Sequence, residues 1–149
     1  MTRPAQVRAM EDARSGTAFE AYRVGERVGP LRFELEPAFI DEYIEATGVD
    51  ADLYRVAGRA AAPPQVLTLY LMGTLHQRYA PLPGTVMADL KLELHSPIWR
   101  DEVTSIVSEG AIEQKAERHG RRYVTWSADF RRAGGALLAR ITNTFVVPA

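Results

Sequence analysis

Hydrophobic positions along this chain follow two periods, and the change of period divides it. Between residues 60 and 79, Val66, Leu67, Leu69, Tyr70, Leu71 and Leu75 cover nearly the whole circumference of a helix rather than one stripe. Pro63 and Pro64 suit its start, where a missing N–H costs nothing and a fixed φ helps. Gly73 inside the run predicts a close approach by another part of the chain. Earlier, residues 24–28 read as a turn-rich entry, and residues 31–35 alternate apolar and charged as a half-buried strand does. Pro37 opens a second helix with the stripe Phe39, Ile40, Tyr43 and Ile44, and Gly48 is placed to end it. Residues 49–59 read as a loop.

After a turn at residues 81–84 the period becomes two. Val86, Ala88, Leu90, Leu92 and Leu94 share one face, with Asp89, Lys91, Glu93 and His95 on the other. Strand character resumes over residues 103–114, and His119-Gly120 supplies a hairpin turn. Residues 123–130 place Val124, Trp126, Ala128 and Phe130 on one face, and Gly134-Gly135 leads to a last strand at residues 137–147. One strand, then helices, then strands joined by tight turns is an α+β order. It predicts a single domain in which an antiparallel curved sheet wraps around one long central helix. Such a sheet covers only part of a helix that is apolar all round, so a second copy or another chain of the same shape is expected against it.

Composition narrows the picture. At 149 residues, with 46% hydrophobic and 25% charged positions, the chain is an ordinary globular domain. Residues 1–18 read as an N-terminal extension and residues 19–149 as the domain. Residues 1–16 lack the apolar run of a secretory signal, and the central helix is too short and too interrupted to cross a membrane, so a cytoplasmic protein is expected. A net charge of −1 points to no nucleic acid and no anionic membrane. Without cysteine, and with no two of the three histidines at metal-ligand spacing, neither a metal site nor a thiolate nucleophile is expected. His76 reads as a partly buried packing residue, His119 as a solvated turn residue and His95 as the end of a polar strand face. Arg118, Arg121, Arg122, Arg131 and Arg132 read as a solvated edge or as a surface for the phosphates of a carrier.

Four stretches resemble the MaoC-like hydratase/dehydratase family of hotdog proteins, in particular its N-terminal-type dehydratase domains. Residues 39–48, Phe-Ile-Asp-Glu-Tyr-Ile-Glu-Ala-Thr-Gly, look like the family's short helix ending in Thr-Gly. Ala62-Pro63-Pro64 is similar to the tripeptide that opens the central helix in the N-terminal-type domains. Residues 92–101, Leu-Glu-Leu-His-Ser-Pro-Ile-Trp-Arg-Asp, resemble the strand, proline and Gly-Asp turn of the family, with Arg100 in place of the glycine. Residues 130–147 resemble its closing hairpin. The resemblance runs from about Gly25 to the C-terminus.

It implies hydration of enoyl thioesters or dehydration of 3-hydroxyacyl thioesters, carried on coenzyme A or an acyl-carrier protein, with no cofactor. It also implies a catalytic Asp directly after Thr-Gly and a His five residues later, a pair that activates water and delivers a proton at adjacent carbons. The matching positions here are Val49 and Tyr54. Asp50 and Asp52 stand beside them, read first as solvated loop or Asx-turn carboxylates and otherwise as substitutes for the pair, and Tyr54 is either a packing tyrosine or a hydrogen-bond donor to a thioester oxygen. The Gln65 and Val66 amides at the helix start can polarise the thioester carbonyl, next to Pro64. Arg59 or Gln65 can line the entrance. Three readings follow: a lyase with an altered active site in which Tyr54, Asp50 or Asp52 replaces the usual pair, a non-catalytic partner subunit of a heteromeric dehydratase, and a hotdog thioesterase or acyl-binding protein.

Overall fold

The computed structural model describes residues 3–7 and 16–149. β1 (Arg27–Leu35) buries Val28, Leu31, Phe33 and Leu35 and turns Arg27, Arg32 and Glu34 to solvent. It begins four residues earlier than the alternation at residues 31–35, because its pairing shifts register between Val28 and Leu31, around Gly29-Pro30. α1 (Pro37–Thr47) ends at Gly48, whose φ of 67° is the left-handed cap that a residue with a Cβ resists. The predicted loop at 49–59 holds a 3-10 turn (Ala51–Leu53) and a small hairpin of β2 (Arg55–Val56) and β3 (Arg59–Ala60). That hairpin turns on Ala57 and Gly58 at φ 50° and 80°. An Ala-Gly turn lacks the Asn-Gly or Asp-Gly signature by which such hairpins are read.

The central helical stretch is less uniform than residues 63–79 predict. A 3-10 turn (Pro64–Leu67) precedes α2 (Thr68–Leu75), and hydrogen-bonded turns carry the chain on to Tyr79. The prolines explain the tight first turn. They bring no N–H, and the Val66 N–H reaches only the Pro63 carbonyl, at 3.1 Å.

β4 (Val86–Leu94), β5 (Thr104–Arg118), β6 (Arg121–Arg132) and β7 (Leu137–Val147) complete a five-stranded antiparallel sheet in the order β1-β5-β6-β7-β4. The β5–β6 hairpin turns on His119 and Gly120, both at positive φ. Val124, Trp126, Ala128 and Phe130 of β6 are completely buried, as their alternation predicts. α2 lies against β1 and β5, and the Tyr70 ring stacks on Phe33 with centroids 3.9 Å apart. In the same layer the Trp126 Nε1–H donates to Asn143 Oδ1 at 3.1 Å, and Asn143 Nδ2 donates to the Asp89 carbonyl at 2.9 Å.

The far side of the sheet's helix-bearing face is left open. Met87, Leu90 and Leu94 of β4 are 50%, 38% and 52% exposed, and Leu69 of α2 is 43% exposed. Of the five residues predicted to face inward on β4, only Leu92 is half-buried. The register also slips at Ala88, from Met87 opposite Phe145 to Asp89 opposite Thr144. One extra residue exchanges the faces, so Met87 joins the inward set and Val86 leaves it.

The described part of the extension packs on the domain instead of standing off it. Arg3 makes a two-pronged ion pair with Glu42 at 2.7 Å for each arm, and Val7 packs beside Gly73. A Cβ at Gly73 would lie 2.8 Å from Val7 Cγ1, so the predicted close approach is made by a side chain of the N-terminal segment. Residues 1–2 and 8–15 of that extension lie outside the described residues.

Candidate functional site

The Gly48 cap releases the chain into Val49 and the 3-10 turn, and Asp50 caps that turn by accepting the Asp52 N–H at 3.0 Å. The short hairpin then folds back, with the Ala61 N–H donating to the Tyr54 carbonyl at 2.8 Å and the Ala62 N–H to the Ile98 carbonyl at 2.7 Å. These bonds close a cavity of about 170 Å³ at the start of the helical stretch. Tyr54, Arg55, Ala62, Pro64, Leu94 and Ile98 are among its lining residues.

Of the residues singled out in the sequence, the cavity brings together Tyr54 and Pro64. Asp50 and Asp52 do not line it. The first is spent on its own turn, and the second is exposed, 3.6 Å from Arg55. Val49 is half-buried behind the turn and does not line the cavity. Arg59 is held elsewhere. Its guanidinium donates to Asp101 at 2.7 Å and Glu102 at 3.3 Å and lies 4.3 Å from the Trp99 ring centroid. The hydrogen bond from Arg59 holds the Asp101 carboxyl below its usual range.

The Val66 N–H is taken by Pro63, which leaves Gln65 as the amide at the helix start without a hydrogen bond among the described residues. The Gln65 side chain is exposed. Arg55 is the residue that sequence reasoning missed. It lines the cavity beside Tyr54 as its one cationic side chain, and the hairpin that presents it carries no sequence signature. No acidic side chain and no histidine lines this cavity.

The five arginines of β5 and β6 do not form one surface. Arg118, Arg121 and Arg122 sit at one end of β6 and Arg131 and Arg132 at the other. Arg122 pairs with Glu20 and Glu117, and Arg132 with Glu102 and the Pro97 carbonyl. Among the described residues no group of three or more acidic or histidine side chains could hold a metal ion. None of the described helices is long and apolar enough to cross a membrane.

This arrangement defines a class of protein. A five-stranded antiparallel sheet in this order, with a helix across one face and a cavity at the helix start, is the hotdog fold. No protein-family model matches the chain, and no curated protein does. Solved structures share its fold. A monoamine oxidase regulatory protein from Archaeoglobus fulgidus aligns with a TM-score of 0.73 and 15% identity, over 91% of this chain and 96% of its own. The HadBC complex of Mycobacterium tuberculosis, a 3R-hydroxyacyl-ACP dehydratase, aligns with a TM-score of 0.67 and 17% identity, over 83% of this chain and 96% of that one. A MaoC-like dehydratase from Rhodospirillum rubrum aligns with a TM-score of 0.66 and 22% identity, over 86% and 94%.

Proposed function

We propose that this chain is an acyl-thioester-binding hotdog of the hydratase/dehydratase type that works as the non-catalytic subunit of a heteromeric enzyme. The observation that carries this reading is the chemistry of the cavity. It is apolar apart from Tyr54 and Arg55, and it contains neither a carboxylate nor a histidine. Addition of water across an enoyl thioester needs one group to activate water and another to deliver a proton. A tyrosine of ordinary pKa near ~10 is a poor base at neutral pH. The cavity is therefore suited to hold an acyl group, and the acid–base pair comes from a partner chain.

The partner docks on the open face formed by β4 and Leu69. That face is apolar and unpaired along a strand edge, which favours another hotdog chain continuing the sheet. The substrate is an acyl group carried on coenzyme A or an acyl-carrier protein, and the Gln65 N–H, beside the lining residue Pro64 and without a hydrogen bond among the described residues, is the donor proposed for its carbonyl. HadBC, a complex in which a hotdog dehydratase is built from two kinds of subunit, has the same fold.

A second reading, a lyase acting alone, is favoured by one observation: Tyr54 is in the cavity and can protonate a developing enolate there. Hydration of a trans-enoyl thioester decides between the two. The purified chain alone is expected to be inactive, and activity is expected when an intact Thr-Gly-Asp…His hydratase encoded beside it is added. Loss of a proton-transferring group costs about 10²–10⁴-fold in rate. Activity of the chain alone that falls by that factor in Tyr54→Phe would overturn the subunit reading. Tyr54→Phe is expected instead to leave the reconstituted pair within about twofold of its starting rate.

A further inference from the structure

A second cavity, of about 280 Å³, opens at the other end of the helical stretch, between the last turn of α2 and the β4–β7 pair. Its walls are mainly apolar, with Met72, Leu75, Leu82, Met87 and Phe145 among them. Four polar side chains line it, Tyr22, His76, Thr85 and Asn143, and of these Asn143 and His76 differ most in what they have left to offer. The Asn143 amide is already spent in both directions, on Trp126 and on the Asp89 carbonyl. His76 is half-buried, and its imidazole makes no hydrogen bond to any described residue. No charged side chain lines this cavity, and Tyr22, whose phenol burial pushes up to about 12, is its other titratable group. Burial also pushes His76 below the usual histidine value, so the ring is neutral at physiological pH and offers one donor and one acceptor.

The two cavities lie at opposite ends of one apolar face of β4, part of which is exposed. Leu94 lines the first and Met87 the second, and the register of β4 puts Leu90 and Leu92 on the same face between them. Seven strand steps from Met87 to Leu94 span about 23 Å. The helical stretch from Pro64 to His76 covers about 20 Å.

We propose that the second cavity receives the far end of the acyl group whose thioester lies at the first, and that this end carries a neutral oxygen, a hydroxyl or a ketone, bound by His76. The proposal rests on the thioester reading above. A methyl end would leave the desolvated imidazole without a partner, and a carboxylate end would find no cation. The distance sets the size of the ligand. An extended chain gains about 1.1–1.2 Å per bond, a third of the 3.3–3.6 Å spanned by a three-bond residue. A span of about 20 Å therefore takes roughly 16–18 bonds, or a rigid apolar body of equal length.

The test is calorimetric titration of the full chain at neutral pH with ω-hydroxyhexadecanoyl-CoA and with hexadecanoyl-CoA. One buried hydrogen bond predicts about tenfold tighter binding of the hydroxyl-ended thioester. His76→Leu is expected to remove that preference without weakening the methyl-ended ligand, and His76→Gln to keep part of it. The His76 ring resonances should move with the hydroxyl-ended ligand and stay in place with the other. Equal binding of the two thioesters by the unaltered chain, or a preference that survives His76→Leu, overturns the proposal and leaves the thioester reading standing. 1-Hexadecanol separates the two ideas. If it binds in a His76-dependent way while neither thioester binds, the thioester reading fails and the chemistry assigned to His76 holds. Binding of none of the three probes overturns both.

Discussion

Asn143 sits on β7 in the layer between sheet and helix, and both ends of its amide are in use. Asn143→Leu would keep the volume but strand the Trp126 N–H in the core. We expect a loss of about 1–3 kcal/mol in urea denaturation, the usual cost of a buried donor without an acceptor. Asp129 gives a second residue-scale prediction. The hydrogen bond from Arg140 at 2.7 Å holds its carboxyl below the ordinary range. A folded value below the unfolded one adds stability that is complete above the unfolded pKa and is lost as pH falls through the folded one. Stability should therefore drop below about pH 4, and Asp129→Asn should flatten that part of the curve. At this scale the sequence was only half legible. Tyr54 and Pro64 were singled out through the resemblance, as the position matching the family's histidine and as part of the Ala-Pro-Pro start of the helix, and both line the cavity. Asp50 and Asp52 read first as Asx-turn or solvated carboxylates, and the fold shows Asp50 spent on its own turn and Asp52 beside Arg55.

Among the elements, those whose burial follows one period were readable. β6 alternates without interruption and buries its predicted face completely, and α1 carries its proline start and glycine stop. Where the period breaks, the element was read but its inward face or its pitch was not. β4 loses register at Ala88, and the helical stretch changes pitch after its two prolines. β5 hides a third constraint. Gly110 faces Ala128 and lies so close to β6 that a Cβ would be 1.6 Å from the Ser127 carbonyl oxygen. Backbone cannot yield as a side-chain tip can, so Gly110→Ala is expected to destabilise by at least about 3 kcal/mol and to lower the urea midpoint sharply. Gly73→Ala should behave differently. Its Cβ meets the Val7 side chain, so the N-terminal segment gives way while α2 gains helix propensity of about 1 kcal/mol. The measurable sign is faster proteolysis near Val7 with a melting temperature that is unchanged or higher.

For the whole molecule the prediction concerns assembly. A lysine on the open face has to bury its charge if another chain covers that face, so Leu90→Lys should abolish association in sedimentation while the isolated chain stays folded. Retention of the assembly by Leu90→Lys would place the contact elsewhere. The fold class and the antiparallel sheet were legible from the order of periods, whereas the order β1-β5-β6-β7-β4 came only with the structure, and the small hairpin carrying Arg55 was not legible because its turn has no distinctive residues.

The two borders of the sheet are not alike. β1 is blunted by Pro30, which offers no N–H, by the shifted register beside it and by Arg27, Arg32 and Glu34. β4 has no proline and leaves Val86, Met87, Leu90 and Leu94 uncovered. A sheet with one receptive border can be extended once and then stops, because the newcomer's own receptive border is consumed in joining. This asymmetry of borders predicts assemblies that stop at two chains, and sedimentation showing open-ended growth would contradict it.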